Sequence, residues 1–236
     1  MSIYTIGDLH LSFEKSKPMD IFGDNWKNHE EKIKVDWIKK VTENDLVVLP
    51  GDFSWATYIE DTYKDFEYLN KLPGKKLLLK GNHDYWWSTL TSMKKFLNEN
   101  NFKNIDFMYN NAYEFDNIVI AGTRGWVQGE EKDDEKLLKR EQIRLELSIQ
   151  DGIKKYGENK EIIVFMHYPP ITNVQIIKNE TNEFIEILKK YNIKKCYYGH
   201  LHSLAINEAV TGKHFDIEFK LVSADAIDFK LEKVGE

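Results

Sequence analysis

Short runs of large apolar residues recur along this chain, separated by longer stretches whose apolar positions return at helical spacing. The runs predict strands at Ile3–Ile6, Leu46–Leu49, Leu77–Leu79, Ile118–Ala121, Ile162–Met166 and Cys196–Tyr198. The stretches between them predict helices near Glu30–Lys40, Tyr58–Leu69, Thr91–Asn98, Glu135–Tyr156 and Glu183–Tyr191. Such alternation is the pattern of an α/β layered fold. Toward the C-terminus, Phe215–Leu221 alternates strictly between apolar and polar, which predicts a half-buried antiparallel strand paired with Ala226–Leu231. No repeat, low-complexity tract or Gly/Ser linker divides the chain, so residues 1–236 are expected to form one domain.

The residues that carry chemistry stand immediately after the strands. Gly7-Asp8-Leu9-His10 comes after Ile6, Gly51-Asp52 after Leu49-Pro50, and Gly81-Asn82-His83-Asp84 after Leu79-Lys80. His167 comes after Met166, and Gly199-His200-Leu201-His202 after Tyr198. Ligands of open α/β sheets bind at the carboxyl ends of the strands. Five segments would therefore deliver Asp, Asn and His side chains to one edge, with glycines where the chain turns close to a bound ion. Asp8 and His10, one residue apart, can face the same ion, and Asp52 has two oxygens with which to bridge a pair. A donor set of N and O without thiolate favours Mn, Fe or Zn. The lone Cys196 excludes a disulfide framework and a cysteine-rich zinc site.

Charge narrows the partners. The formal net charge is −6, and no long basic block occurs. Nucleic acid is therefore an unexpected partner, since duplex binders neutralise phosphates with a basic stripe. No apolar run is long enough to span a membrane. The start, Met1-Ser2-Ile3-Tyr4, reads as a strand and not a leader, so a cytoplasmic location is expected. Oligomeric state is not legible.

In order and spacing, these motifs resemble the calcineurin-like metallophosphoesterases, most closely the stand-alone bacterial members, over residues 8 to 202. The resemblance implies a two-sheet β-sandwich flanked by helices on both faces. It also implies a dinuclear site, with one metal held by Asp8, His10, His202 and a bridging Asp52. The second metal would be held by Asp52, Asn82, His167 and His200. His83 matches the position that stabilises or protonates the leaving oxygen, and the reaction implied is attack of a metal-bridging hydroxide on a phosphate mono- or diester. One departure bears on substrate. Protein phosphatases of this type carry a second Asp, an Arg and a Gly soon after the bridging aspartate, where this chain reads Gly51-Asp52-Phe53-Ser54-Trp55-Ala56. A small-molecule or nucleotide ester is thus favoured, and His83 lacks its usual acidic partner. A metal-dependent nuclease and a non-catalytic scaffold on the same fold are the alternatives. Acidity opposes the first, and a complete ligand set opposes the second.

Other residues have competing readings. Asp84 is expected to cap a helix. Arg124, between Gly122-Thr123 and Gly125, is either a phosphate clamp or a loop brace. Arg140 and Arg144 are expected to form solvated helix ion pairs. Trp37 should be packing, whereas Trp55, Trp86, Trp87 and Trp126 are either packing or aromatic walls for a flat group. His29 and His214 are expected at the surface. Tyr168-Pro169-Pro170 should stiffen the loop that follows His167, and the acidic residues 130–135 should open a solvated helix.

Overall fold

The structure, a computed structural model, describes residues 1–14, 17–127 and 134–235. Its strands are β1 (Ile3–Thr5), β2 (Leu46–Pro50), β3 (Lys75–Leu79), β4 (Ile105–Phe107), β5 (Tyr113–Phe115), β6 (Ile118–Thr123), β7 (Glu161–Met166), β8 (Lys195–Tyr198), β9 (Gly212–His214), β10 (Ile217–Leu221) and β11 (Glu232–Lys233). The helices are α1 (His29–Lys40), α2 (Tyr63–Lys71), α3 (Leu90–Glu99), α4 (Asp134–Tyr156), α5 (Asn173–Lys178) and α6 (Glu183–Lys190).

Two sheets form, in the orders β11-β1-β2-β3-β4 and β5-β6-β7-β8-β10-β9. Strands β1 to β4 run parallel, as do β6, β7, β8 and β10, while β5, β9 and β11 are antiparallel edges. The inner strands read as unbroken apolar runs because both faces are covered. In β2, Leu46 and Val48 face the second sheet, joining Leu77, Leu79, Ile120, Ile163 and Phe165 in a layer between the sheets. Val47 and Leu49 face outward onto α1, α2 and α3 through Ile33, Trp37, Phe66, Leu69 and Leu97. On the second sheet, Val119, Val164, Met166 and Tyr198 face outward onto α4 and α6 through Leu145, Ile149, Phe184 and Leu188. The layering is helix, sheet, sheet, helix, as the motif resemblance implied.

Helix starts follow side-chain chemistry. Thr89 accepts a hydrogen bond from the Ser92 amide, Asn182 accepts from Ile185, and Thr172 with Gln175 forms a reciprocal capping box. The segment expected as one helix from Tyr58 is instead a 3-10 turn, Ile59–Thr62, followed by α2. Of the acidic stretch 130–135, residues 130–133 lie outside the described residues, and α4 begins at Asp134.

The C-terminal expectation needs correction. Phe215 and Asp216 both have positive φ, 50° and 65°, and form the two-residue turn of a β9–β10 hairpin. β10 is antiparallel to β9 and parallel to β8, so neither of its edges is open to Ala226–Leu231. That segment turns instead, and the chain crosses to the first sheet, where β11 pairs with β1. The crossing is stitched by Gly7 N donating to Val222 O at 2.7 Å and Ala224 N donating to Gly7 O at 3.1 Å. The carboxyl ends of β1 and β10 thereby meet, one from each sheet. Among the described residues, no helix is long and apolar enough to cross a membrane.

Candidate metal centre

The carboxyl ends of β1, β2, β3, β7 and β8 converge where the two sheets meet, and seven of the motif side chains converge with them. Asp8, His10 and His202 place one donor atom each within 4.8 Å of one another, and so do Asp8, Asp52 and His167. Asp52 lies at the middle, its Oδ2 3.7 Å from His10 Nε2 and 3.6 Å from His167 Nε2. On one side His10 Nε2 and His202 Nε2 are 3.4 Å apart. On the other, Asn82 Oδ1 is 2.6 Å from His167 Nε2 and 3.0 Å from His200 Nδ1.

The backbone is bent to achieve this. Asp8, His10, Asp52 and His200 all have positive φ, between 47° and 75°. For residues other than glycine that conformation is uncommon and costs energy, and its clustering is typical of functional sites. Two glycines make room for the carboxylates. A Cβ on Gly81 would lie 2.0 Å from Asp52 Oδ1, and one on Gly199 would lie 2.3 Å from Asp8 Oδ2.

Second contacts decide which atoms face inward. His167 Nδ1 is 3.1 Å from the Pro50 carbonyl, so it carries the proton and Nε2 presents its lone pair. His202 Nδ1 is 2.7 Å from Asp225 Oδ1, whose other oxygen accepts from the Ser203 amide at 2.9 Å. Asp225 is buried and has no sequence signal, because the turn after β10 has no motif of its own. Asp84 is not a helix cap; α3 is capped by Thr89. Its fully buried carboxylate accepts from the amides of Asp52, Phe53, Ser54 and Gly81 and from Trp86 Nε1, at 2.7 to 3.3 Å. It therefore ties the Asp52 loop to the Asn82 loop and leaves nothing for His83. His29 is likewise not at the surface: it is buried, with Nε2 3.0 Å from the Leu9 carbonyl inside the Asp8–His10 loop. His214 is half-buried at the end of β9.

Charge within the cluster is unbalanced. Burial alone would raise the Asp8 carboxyl, but His202, His167 and His10 hold it far below the usual carboxylate range. Burial, with Asp84 and Asp8 nearby, pushes Asp52 well above that range. Burial pushes the His167 imidazole down to about 3 and His10 well below its ordinary value. His202 goes the other way: burial disfavours its charge, yet Asp8 and Asp225 lift it to about 10. Near neutral pH, the His167 Nε2 lone pair thus faces the Asn82 carbonyl oxygen, acceptor against acceptor. His10 Nδ1 is buried with no partner among the described residues. Cations between these atoms would relieve the conflicts among Asp8, Asp52, Asn82, His167 and His202, so the residues fit bound metal ions.

The remaining sequence candidates separate. His83 is half-buried beside the cluster, its ring 5.8 Å from His10 and 4.5 Å from Trp55. Trp55 stacks on His10 at 4.7 Å, with Lys17 Nζ 3.1 Å from its centroid. It is the one tryptophan of the four that reaches the site without being buried; Trp86, Trp87 and Trp126 pack in the interior. Arg140 and Arg144 are not a simple solvated pair, since both contact the buried Glu141, at 3.2 and 2.8 Å. Arg124 stands at the end of β6, and its carbonyl accepts from the amides of His167 and Tyr168.

The sequence profile of the calcineurin-like phosphoesterases matches residues 1–204. Among solved structures, a Thermus thermophilus protein is 12% identical with a TM-score of 0.57, the match covering 98% of this chain and 96% of that one. A protein of unknown function from Aquifex aeolicus is 19% identical with a TM-score of 0.52, over 98% of this chain and 95% of that one. The phosphopantetheinyl hydrolase of Mycobacterium tuberculosis is 11% identical with a TM-score of 0.53, over 99% and 95% of the two chains. At these identities the likeness is one of fold. No curated protein matches the chain.

Proposed function

Since the chain belongs to the calcineurin-like phosphoesterase family, we propose that it is a two-metal phosphohydrolase that cleaves a mono- or diester of a small molecule or nucleotide. The observation that carries this reading is Asp52 Oδ2, set almost equally from His10 Nε2 and His167 Nε2 at 3.7 and 3.6 Å. One carboxylate oxygen thereby serves two donor sets. Asp8, His10 and His202 would hold one ion and Asn82, His167 and His200 the other, both donor sets suiting Mn, Fe or Zn. Such a pair supplies Lewis acidity toward a phosphoryl oxygen and activates water at neutral pH.

The chain's own groups do the rest. Asp84, through its five N–H contacts, sets the spacing of the Asp52 and Asn82 loops. Asp225 holds His202 in the tautomer that points Nε2 inward. Burial, and then Lys17 and His200, push His83 down to about 4, so it is neutral at neutral pH. In that form it acts by donating a hydrogen bond to the leaving oxygen. The net charge of −6 favours a small ester over a polynucleotide.

The test is an assay of chelator-stripped protein reloaded with Mn²⁺, Fe²⁺ or Zn²⁺ on p-nitrophenyl phosphate and its bis ester. Turnover that depends on added metal is expected, and the ratio of the two rates sorts monoesterase from diesterase. Absence of turnover with all three metals refutes the reading.

A further inference from the structure

Beside the metal centre lies a small crevice with two cations that no anionic group among the described residues pairs. Lys80 follows β3 immediately before Gly81-Asn82, and Arg124 follows β6 on the facing sheet. The two strand ends touch, since a Cβ on Gly122 would lie 2.9 Å from Leu79 Cδ2. Lys80, Arg124, Arg144, Glu141, Thr123 and Tyr109 line the same cavity of about 20 Å³.

Arg144 and Arg140 share one oxygen of buried Glu141, and Thr123 Oγ1 donates to the other at 2.7 Å. Both oxygens of that carboxylate are therefore engaged by these groups, and its charge reaches Arg124 only at longer range. Lys80 and Arg124 are half-buried, and neither side chain makes a hydrogen bond or ion pair among the described residues. The Arg124 Nε is wholly buried without a partner among those residues, and its guanidinium is stacked on Trp126 at 4.6 Å. Desolvated, unpaired charge costs stability, and two such charges side by side in a chain of net charge −6 bring the fold no structural return. An anion would supply it. A guanidinium set over an indole can present its fork to two oxygens, and the ammonium adds a point charge. The cavity has room for about one water-sized group, so it seats oxygens of an anion and no organic body.

We propose that Lys80 and Arg124 form an anion subsite for a second, non-scissile phosphoryl group, so that the substrate is a bisphosphate. The position supports the assignment. Lys80 is two residues from Asn82, and the Arg124 carbonyl pins the His167 amide at 3.1 Å, so the subsite adjoins the metal centre without being part of it. The anion subsite stands on its own geometry; its link to substrate rests on the phosphohydrolase reading.

The experiment measures thermal unfolding of the chelator-treated full chain with and without millimolar inorganic phosphate, for wild type, Lys80→Met and Arg124→Gln. Phosphate should raise the wild-type Tm. Without phosphate, both variants should melt at or above wild type, because an unpaired charge is gone, and phosphate should bind each about tenfold more weakly. A structural role would instead lower their Tm. No response of the wild type to phosphate, or a response in both variants as large as that of wild type, overturns the subsite. In the metal-loaded protein, alkanediol bisphosphates of increasing tether length are compared with their monophosphates. At least one bisphosphate should be preferred about tenfold in kcat/KM, and Lys80→Met should abolish the preference. Preference for none overturns the substrate class. The p-nitrophenyl phosphate assay on wild type reports separately on the phosphohydrolase reading.

Discussion

Replacing Asp225 with Asn removes the charge that orients His202 while changing almost nothing in volume. The carboxylate now accepts from His202 Nδ1 at 2.7 Å through one oxygen and from the Ser203 amide at 2.9 Å through the other. An amide has one acceptor, so only one contact survives, and the NH2 opposes whichever donor is left. A hydrogen bond to a charged group contributes about 1.5–3 kcal/mol. At about 1.4 kcal/mol per factor of ten, that is roughly a 10–100-fold loss, which agrees with the usual cost of removing an outer partner of a metal-bound histidine. Competitive Zn²⁺ titration against a chromophoric chelator would resolve two binding steps. His202→Ala and Asn82→Ala identify which step belongs to which half of the site. Asp225→Asn should weaken the His202 step by about 10–100-fold and leave the Asn82 step unchanged. Equal weakening of both steps, or of neither, would refute the assignment of Asp225 as the orienting group for one ion alone.

Three further outcomes are expected. Gly199→Ala puts a methyl 2.3 Å from Asp8 Oδ2, so the variant should fold yet lose at least one metal, read by metal analysis after gel filtration; full occupancy would contradict the close approach. His83→Ala should keep both metals and lower kcat by about 10²–10⁴-fold, the usual contribution of a group that assists the leaving atom; unchanged kcat would remove His83 from the chemistry. Lys76 is buried, donates among the described residues to the Leu72 carbonyl alone, and is pushed by burial from 10.5 down to about 7. Because the unfolded chain binds this proton up to its ordinary pKa and the folded chain releases it above about 7, stability should rise with pH from about 7 upward, by at most about 5 kcal/mol. Urea unfolding at neutral and alkaline pH should show that rise in wild type and lose it in Lys76→Met, and an equal rise in both would exclude Lys76 as its source.

The legible part of this protein is the part governed by local pattern. Buried parallel strands must be apolar on both faces, so Leu46–Pro50 and Glu161–Met166 announce themselves as runs. Groups that serve a site at the carboxyl edge of such sheets come directly after the strands, so Asp8, His10, Asp52, Asn82, His167, His200 and His202 stand out by position as well as by type. The short edge strands Ile105–Phe107, Tyr113–Phe115 and Glu232–Lys233 give no such signal, because two or three residues carry no period. They are strands only because a neighbour's hydrogen bonds hold them.

Outer partners are illegible for a related reason. Asp84 looks like a cap beside a helix start, and nothing local says that it faces four backbone amides, three of them some thirty residues away in sequence. Asp225 carries no sequence signal and His29 reads as a surface residue until the sheets close and bring them against His202 and Leu9. The pairing of Lys80 with Arg124 likewise exists only where β3 and β6 face each other across the sandwich. By itself the sequence determined the layered fold and the Asp, Asn and His positions that stand at its strand ends, because both are written in local pattern along the chain. Which atoms face inward, which carboxylate orients which imidazole, and which cations are left unpaired were decided by tertiary structure alone, since each depends on distances between segments far apart in sequence.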